Sequence, residues 1–190
     1  MTLRLASGLL AMGVLLGARQ ACALGLELGA DVGYGAPPFA DDYTPNRFGF
    51  GFGAHGGVEI SHVYIGATYH YFLGGTLLAP AVGAPQLPSM PDSVHTMQLG
   101  AQLGYAISVG RLTVRPYLWG GPTIYSVAMA SSESPDVRMT LAPGAFARFR
   151  IAGPAFVGAD AKCAVIFGGN NEPLRAQLTA FGTVGVAFSL

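Results

Sequence analysis

Charge, cysteine and long apolar runs are all scarce in this chain. Only 11% of its 190 residues are Asp, Glu, Lys or Arg, ten basic against ten acidic. No basic stripe exists, which argues against nucleic acid as a partner. Cysteine occurs twice, as Cys22 and Cys163. Cys22 lies in a segment that reads as removable, so Cys163 is expected alone and no disulfide framework can staple the fold. Metal-binding spacings are missing too. His55, His62, His70 and His95 form no His-x-x-x-His pair and no mixed set with cysteine, so neither a metal nor another cofactor is expected. The Gly-rich stretch 49–57 is no phosphate loop, because strand alternation runs through it. Past residue 23 no apolar run reaches the length of a membrane-crossing helix without Pro or Gly clusters. Residues 77–90 are apolar but hold Pro80, Pro85 and Pro88, which excludes a helix there.

What is present begins with an address. Arg4 supplies a positive start, residues 9–17 a short apolar core, and Ala21-Cys22-Ala23 a small-residue cleavage site. We therefore expect residues 1–23 to be a removed signal peptide and 24–190 to be one domain. A lipoprotein signal ending at Cys22 is the rival, and Arg19-Gln20 suits it poorly. Removal takes two of the ten basic residues and none of the acidic ones, leaving a net charge of −2.

The rest of the chain alternates with period two, the signature of strands with one apolar face. At the C-terminus Leu178, Ala180, Gly182, Val184, Val186, Phe188 and Leu190 share one face. Gln177, Thr179, Phe181, Thr183, Gly185, Ala187 and Ser189 share the other. Similar alternation predicts strands over about 24–34, 47–60, 63–72, 94–106, 112–125, 138–150, 155–166 and 177–190. In the second, Phe48, Phe50, Phe52, Ala54, Val58 and Ile60 are expected on one side. Pro116 and Pro122 predict a bulge or irregular end in the fifth.

Connections alternate as well. Those at 35–46, 73–93, 126–137 and 167–176 are long; those at 61–62, 107–111 and 151–154 are short. An even number of strands, short turns at one end and long loops at the other predict an all-β, eight-stranded antiparallel up-and-down transmembrane barrel. Its short turns and both termini would be periplasmic and its long loops external. Aromatic residues Tyr34, Phe48, Tyr69, Tyr71, Tyr105, Tyr125 and Phe188 are expected in interfacial girdles.

The inward faces carry Glu27, Asp31, Glu59 and Asp160 against Arg115, Arg148, Arg150 and Lys162. Charges in so narrow a lumen must pair or meet water, so these eight are expected to form a plug of salt bridges. The alternative is a narrow path for ions or small solutes with Glu59, Arg115, Asp160 and Lys162 at its constriction.

Three features together, the run Val114-Arg115-Pro116-Tyr117-Leu118-Trp119-Gly120-Gly121-Pro122, the glycine-spaced strands and the closing Val184-Gly185-Val186-Ala187-Phe188, resemble the eight-stranded outer-membrane β-barrel superfamily of Gram-negative bacteria. That superfamily includes the OmpA transmembrane domain, OmpX-like proteins and opacity-type adhesins. The family ends on an aromatic residue, whereas this chain carries Phe188 two before Leu190. The resemblance implies outer-membrane lipid as the surroundings and the barrel-assembly machinery as a partner of the C-terminal strand. It also implies a structural or surface-interaction role, with any extracellular ligand met by loops 35–46, 73–93 and 126–137. No peptidoglycan-binding domain is expected to follow. Some small barrels of this kind modify lipid A, and Ser61-His62 with Glu59 is the one local candidate for such chemistry. A turn serine and histidine is the better reading, so no enzyme is expected.

Overall fold

The computed structural model describes residues 24–38, 46–74, 93–129, 132–168 and 174–189. The expected signal peptide, at 1–23, lies outside the described residues, as do most of the connections at 35–46 and 73–93, half of that at 167–176, and the final Leu190. Nine strands follow one another: β1 (Leu24–Ala36), β2 (Gly49–Ile60), β3 (Val63–Phe72), β4 (Ser93–Tyr105), β5 (Ile107–Val109), β6 (Leu112–Met129), β7 (Ser132–Ala152), β8 (Ala155–Ile166) and β9 (Arg175–Ser189). Each pairs antiparallel with its sequence neighbour, apart from β4 and β5, which share a partner. β1 pairs with β9 and β4 with β6, which closes the sheet. β4 and β5 run along β6 in one register and form a single wall. The result is a closed barrel of eight walls.

Closure decides where the backbone groups go. In lipid no water is available to an unpaired N–H or C=O, and a ring of strands leaves no edge. Prolines threaten that ladder because they have no N–H. The β4–β6 pairing lapses at Leu99–Gly100 opposite Gly121–Pro122 and at Tyr105–Ala106 opposite Arg115–Pro116, then resumes in the same register. The expected bulge in this strand is therefore absent: Pro116 and Pro122 interrupt pairing without shifting it. At the second gap the Ala106 N–H donates instead to the His62 carbonyl, at 2.7 Å. The register shift that does occur lies between Arg150 and Ala152, in the β7–β8 pairing.

The short connections are two-residue turns, Ser61–His62, Gly110–Arg111 and Gly153–Pro154. The turn expected over 107–111 is thus shorter, because residues 107–109 still pair with β6 as β5. The loop expected at 126–137 is also corrected. β6 and β7 continue as a paired hairpin as far as Met129 and Ser132. This hairpin outruns β8, whose pairing with β7 begins only at Thr140.

Outside, the apolar face is bare: Leu28, Val32, Ile65, Leu99, Leu103, Leu118, Leu178 and Val184 are exposed around the circumference. A contiguous apolar belt of this kind does not survive in water but suits hydrocarbon. Every wall has at least ten residues, about what a tilted strand needs to cross a bilayer. Tyr34, Tyr69, Tyr105 and Phe188 stand on that exterior, as girdle residues should. Phe48 and Tyr125 do not. Gly49, at φ +64, turns the chain at the first residue of β2, so Phe48 leaves the face of Phe50 and Phe52 and points inward. There it meets Phe72 edge-on, with ring centres 5.1 Å apart, and Tyr125 at 5.8 Å.

Inside, large side chains lie over glycines of neighbouring strands. Tyr64 covers Gly57 and Gly66, Trp119 covers Gly100, Tyr117 covers Gly144, and Phe156 covers Gly185. A Cβ at Gly100 would fall 2.5 Å from both the Trp119 ring and the Gly120 carbonyl. Neither can yield freely, so Gly100→Ala should lower the unfolding free energy by about 1–3 kcal/mol. Trp119 is the sole tryptophan. Urea unfolding followed by its emission is therefore the measurement, with a changed native spectrum expected alongside the lower midpoint.

Candidate functional site

The inward faces of β1, β2, β3, β6, β7, β8 and β9 converge on the middle and short-turn half of the lumen. Glu27 of β1 is the hub. Its Oε1 accepts from Arg115 Nη2 of β6 at 2.8 Å, and its Oε2 accepts from Arg148 of β7. Arg148 reaches on to Glu59 of β2, 3.2 Å away. Two pleat repeats further along β1, Asp31 accepts from the Thr183 hydroxyl at 2.6 Å. It also faces His55 Nδ1 at 2.9 Å and His70 Nε2 at 3.3 Å. His55 Nε2 stands 3.5 Å from Glu27, within reach of charge though too long for a hydrogen bond. Glu27 and Asp31 are thus joined through one imidazole.

Ring faces complete the site. The Arg115 guanidinium carbon lies 3.5 Å from the centre of the Tyr64 ring and 4.7 Å from that of Phe146. Its Nε and Nη1 are buried without a protein acceptor, and the aromatic faces supply the attraction instead. Lys162 has no carboxylate within ion-pair distance among the described residues. Its ammonium sits 4.5 Å over Trp119 and 3.4 Å from His70 Nδ1. Trp119 in turn donates from Nε1 to Thr68 at 2.6 Å, and Asp160 accepts from the Tyr117 hydroxyl at 2.8 Å.

The eight charged residues expected together are therefore distributed unequally. Glu27, Arg115, Arg148 and Glu59 form one ion-paired chain, and Asp31 is held by histidines and a threonine. Asp160 and Lys162 lie nearby, each with other partners. Arg150 stands apart, exposed at the short-turn mouth with no carboxylate in ion-pair range among the described residues. The four residues named for a constriction form no ring either. Arg115, Asp160 and Lys162 line a central cavity of about 10 Å³, while Glu59 lines separate cavities at the mouth. About one water fits the central space. His55 and His70 were missed as site residues. Their alternation parity with Glu59 and Thr68 was a usable signal, but contacts to Asp31 across strands leave no local spacing to find.

Beyond this polar half, toward the long connections, Phe48, Phe72, Tyr125, Ile166 and Phe181 form an apolar layer. Phe181 stacks on His70 with centres 4.3 Å apart, which joins the two layers. Ser61 is exposed and the His62 ring leans on Tyr105 at 5.8 Å, so the serine and histidine of that turn are not assembled as a nucleophile and its base. Among the described residues no group of three or more His, Cys, Asp or Glu is placed to hold a metal.

A closed eight-walled antiparallel sheet, apolar outside and polar within, defines the class: this chain has the fold of the small outer-membrane β-barrels. Neisserial surface protein A superposes with a TM-score of 0.59 at 12% identity, over 90% of this chain and all of that one. A major outer-membrane protein of Thermus thermophilus gives 0.59 at 11%, covering 87% and 100%. Ail, the attachment invasion locus protein of Yersinia pestis, solved with the heparin analogue sucrose octasulfate, gives 0.55 at 11%, covering 89% and 100%. No family model and no curated protein sequence matches the chain.

Removing the hub isolates a buried cation. Glu27→Gln should cost about 3–5 kcal/mol of unfolding free energy, because Arg115 keeps its charge in a site from which water is excluded. Replacing both groups, as Glu27→Leu with Arg115→Met, should recover most of that loss. The check is urea titration of the folded barrel in a neutral detergent, read as a double-mutant cycle.

Proposed function

We propose that this protein is exported through a cleaved signal at 1–23 and resides in the outer membrane as a small, closed barrel. Its role there is structural or surface-interacting, with the lumen sealed rather than conducting. One observation carries the reading: a lipid-suited wall surrounds an interior whose central free space is only about 10 Å³. A water-filled path needs a continuous lumen, and here charge, ring faces and an apolar layer occupy it in turn.

Several features support the placement. Leu24, the residue that cleavage after Ala23 would expose, is itself paired into the barrel, opposite Ile60. Both barrel ends of the chain lie with the two-residue turns, the end that faces the periplasm in barrels of this kind. The long connections and the projecting β6–β7 hairpin then face outward, where recognition segments on a rigid scaffold belong. Val137 on that hairpin is exposed, and Pro135 interrupts the donor row of its free edge. Similar proteins include a surface protein and an attachment protein, which is in keeping with an outward role. The C-terminal strand, which carries Phe188, is the element we assign to the barrel-assembly machinery.

Two measurements test this. Purified protein in planar bilayers should give no unitary conductance; steady ohmic steps would replace the sealed barrel with a narrow channel. In intact cells, in a Cys163→Ser background, Val137→Cys should react with a membrane-impermeant maleimide. Val109→Cys, exposed at the opposite end, should react only after the outer membrane is opened. Reversed labelling would overturn the orientation, and labelling of neither in outer-membrane fractions the location.

A further inference from the structure

The short-turn end of the barrel is a bowl of about 220 Å³. Its rim carries His62 from the β2–β3 turn, Arg111 from the β5–β6 turn and Arg150 from β7. Ser108, Thr113 and Ser189 add hydroxyl groups, and Phe156 gives it an apolar side. Glu59 and Arg148 also line it, but they neutralise each other at 3.2 Å and Arg148 is engaged below by Glu27. Arg111 and Arg150 have no carboxylate in ion-pair range among the described residues. Among the described residues the bowl therefore holds two guanidiniums without a carboxylate partner.

Two further features point the same way. Ser108 and Thr113 hydroxyls lie 3.0 Å apart across the hairpin, and one of each such pair keeps a proton to donate. The turn that carries His62 is strained: Ser61 and His62 take φ of 46° and 79°, a backbone that prefers Asn-Gly and costs about 1–2 kcal/mol per residue otherwise. The Ala106 N–H holds that turn by the His62 carbonyl, and His62 lies at the rim of the bowl. Strain of this kind persists where the surroundings over-determine it.

We propose that this bowl is a binding site for a phosphate-class oxyanion, received between the Arg111 and Arg150 guanidiniums with the Ser108–Thr113 hydroxyls as further donors. Guanidinium forks match the paired oxygens of such an anion, and two guanidinium charges match a dianion. The site opens at the end assigned to the periplasm, so the phosphate is either a soluble one or that of an inner-leaflet lipid headgroup. This inference does not depend on the outward-facing role proposed above, and a failure of one leaves the other standing.

The test is titration of the folded full barrel, in a neutral maltoside detergent, with inorganic phosphate followed by phosphorus NMR. Saturable binding is expected, weakened at least tenfold by Arg111→Gln and by Arg150→Gln. Arg47→Gln, at the opposite end of the barrel, should bind as the parent does. Sulfate should compete and chloride at equal ionic strength should not. Heat-modifiable mobility checks that each variant remains a barrel. Binding that never saturates, that chloride abolishes equally, or that survives the double Arg111→Gln, Arg150→Gln variant would overturn the site. Repeating the titration in lipid nanodiscs separates the sources. Phosphate binding at least tenfold weaker in phosphatidylglycerol than in phosphatidylcholine assigns the site to a headgroup, and equal affinity assigns it to a soluble phosphate.

Discussion

Backbone pairing around a closed ring is the constraint on which everything else in this molecule depends. In hydrocarbon each unpaired amide group costs several kcal/mol, so β4 must meet β6 before any side chain matters. The way the ladder handles proline follows from that need. Pro116 and Pro122 sit where the β4–β6 pairing lapses, and the β7–β8 pairing lapses likewise at Ala142–Pro143. In each case the partners on either side keep register. A bulge would have moved every later residue on that strand to the other face, putting charge into lipid. An interruption loses local bonds but preserves the faces.

Once the ring is closed, its bore must be filled. Eight walls leave an interior about as wide as the side chains it holds, and the pleat gives half of each strand to it. Large residues fit only where the opposing strand gives way, which is why Trp119, Tyr64, Tyr117 and Phe156 lie over glycines. The rings so placed present their faces to the lumen, and Arg115 and Lys162 rest on them. Glycine, ring and cation are therefore consecutive consequences of one packing problem. The carboxylates Glu27 and Asp31 then supply the balancing charge from a single strand, which ties other strands to β1 through side chains as well as through the ladder.

Much of this was legible because alternation encodes it directly. The strand expected at 63–72 is β3, Val63–Phe72, and that at 155–166 is β8, Ala155–Ile166. Parity also assigned Glu27, Asp31, Arg115 and Lys162 to the interior, where each is buried. What parity cannot encode is a local departure from it. Gly49 at positive φ turns Phe48 inside out, and nothing in the Phe-Gly repeat of 48–53 marks that glycine from its neighbours. The hairpin beyond residue 126 was hidden for another reason. Its serines and Pro135 read as a loop, but pairing to a neighbouring strand overrides weak propensity. Partner choice was equally hidden: His55 and His70 lie 24 and 39 residues from Asp31, a separation that only strand register converts into contact.

The two ends of the lumen differ in kind, and the difference follows from their connections. Toward the long connections the chain itself turns back into the bore: Thr96 donates to the Arg47 carbonyl at 2.8 Å, Gly74 donates to the Phe48 carbonyl at 2.8 Å, and Phe48 lies within the apolar layer. Two-residue turns at the other end have no such length to spare. They can only ring the opening, so the mouth stays concave and is dressed by the few side chains that the turns and strand ends carry. Of the charges there among the described residues, Glu59 is already committed to Arg148, and the remainder is cationic. A barrel with an apolar layer toward one end and a polar, concave mouth at the other is asymmetric in chemistry as well as in loop length.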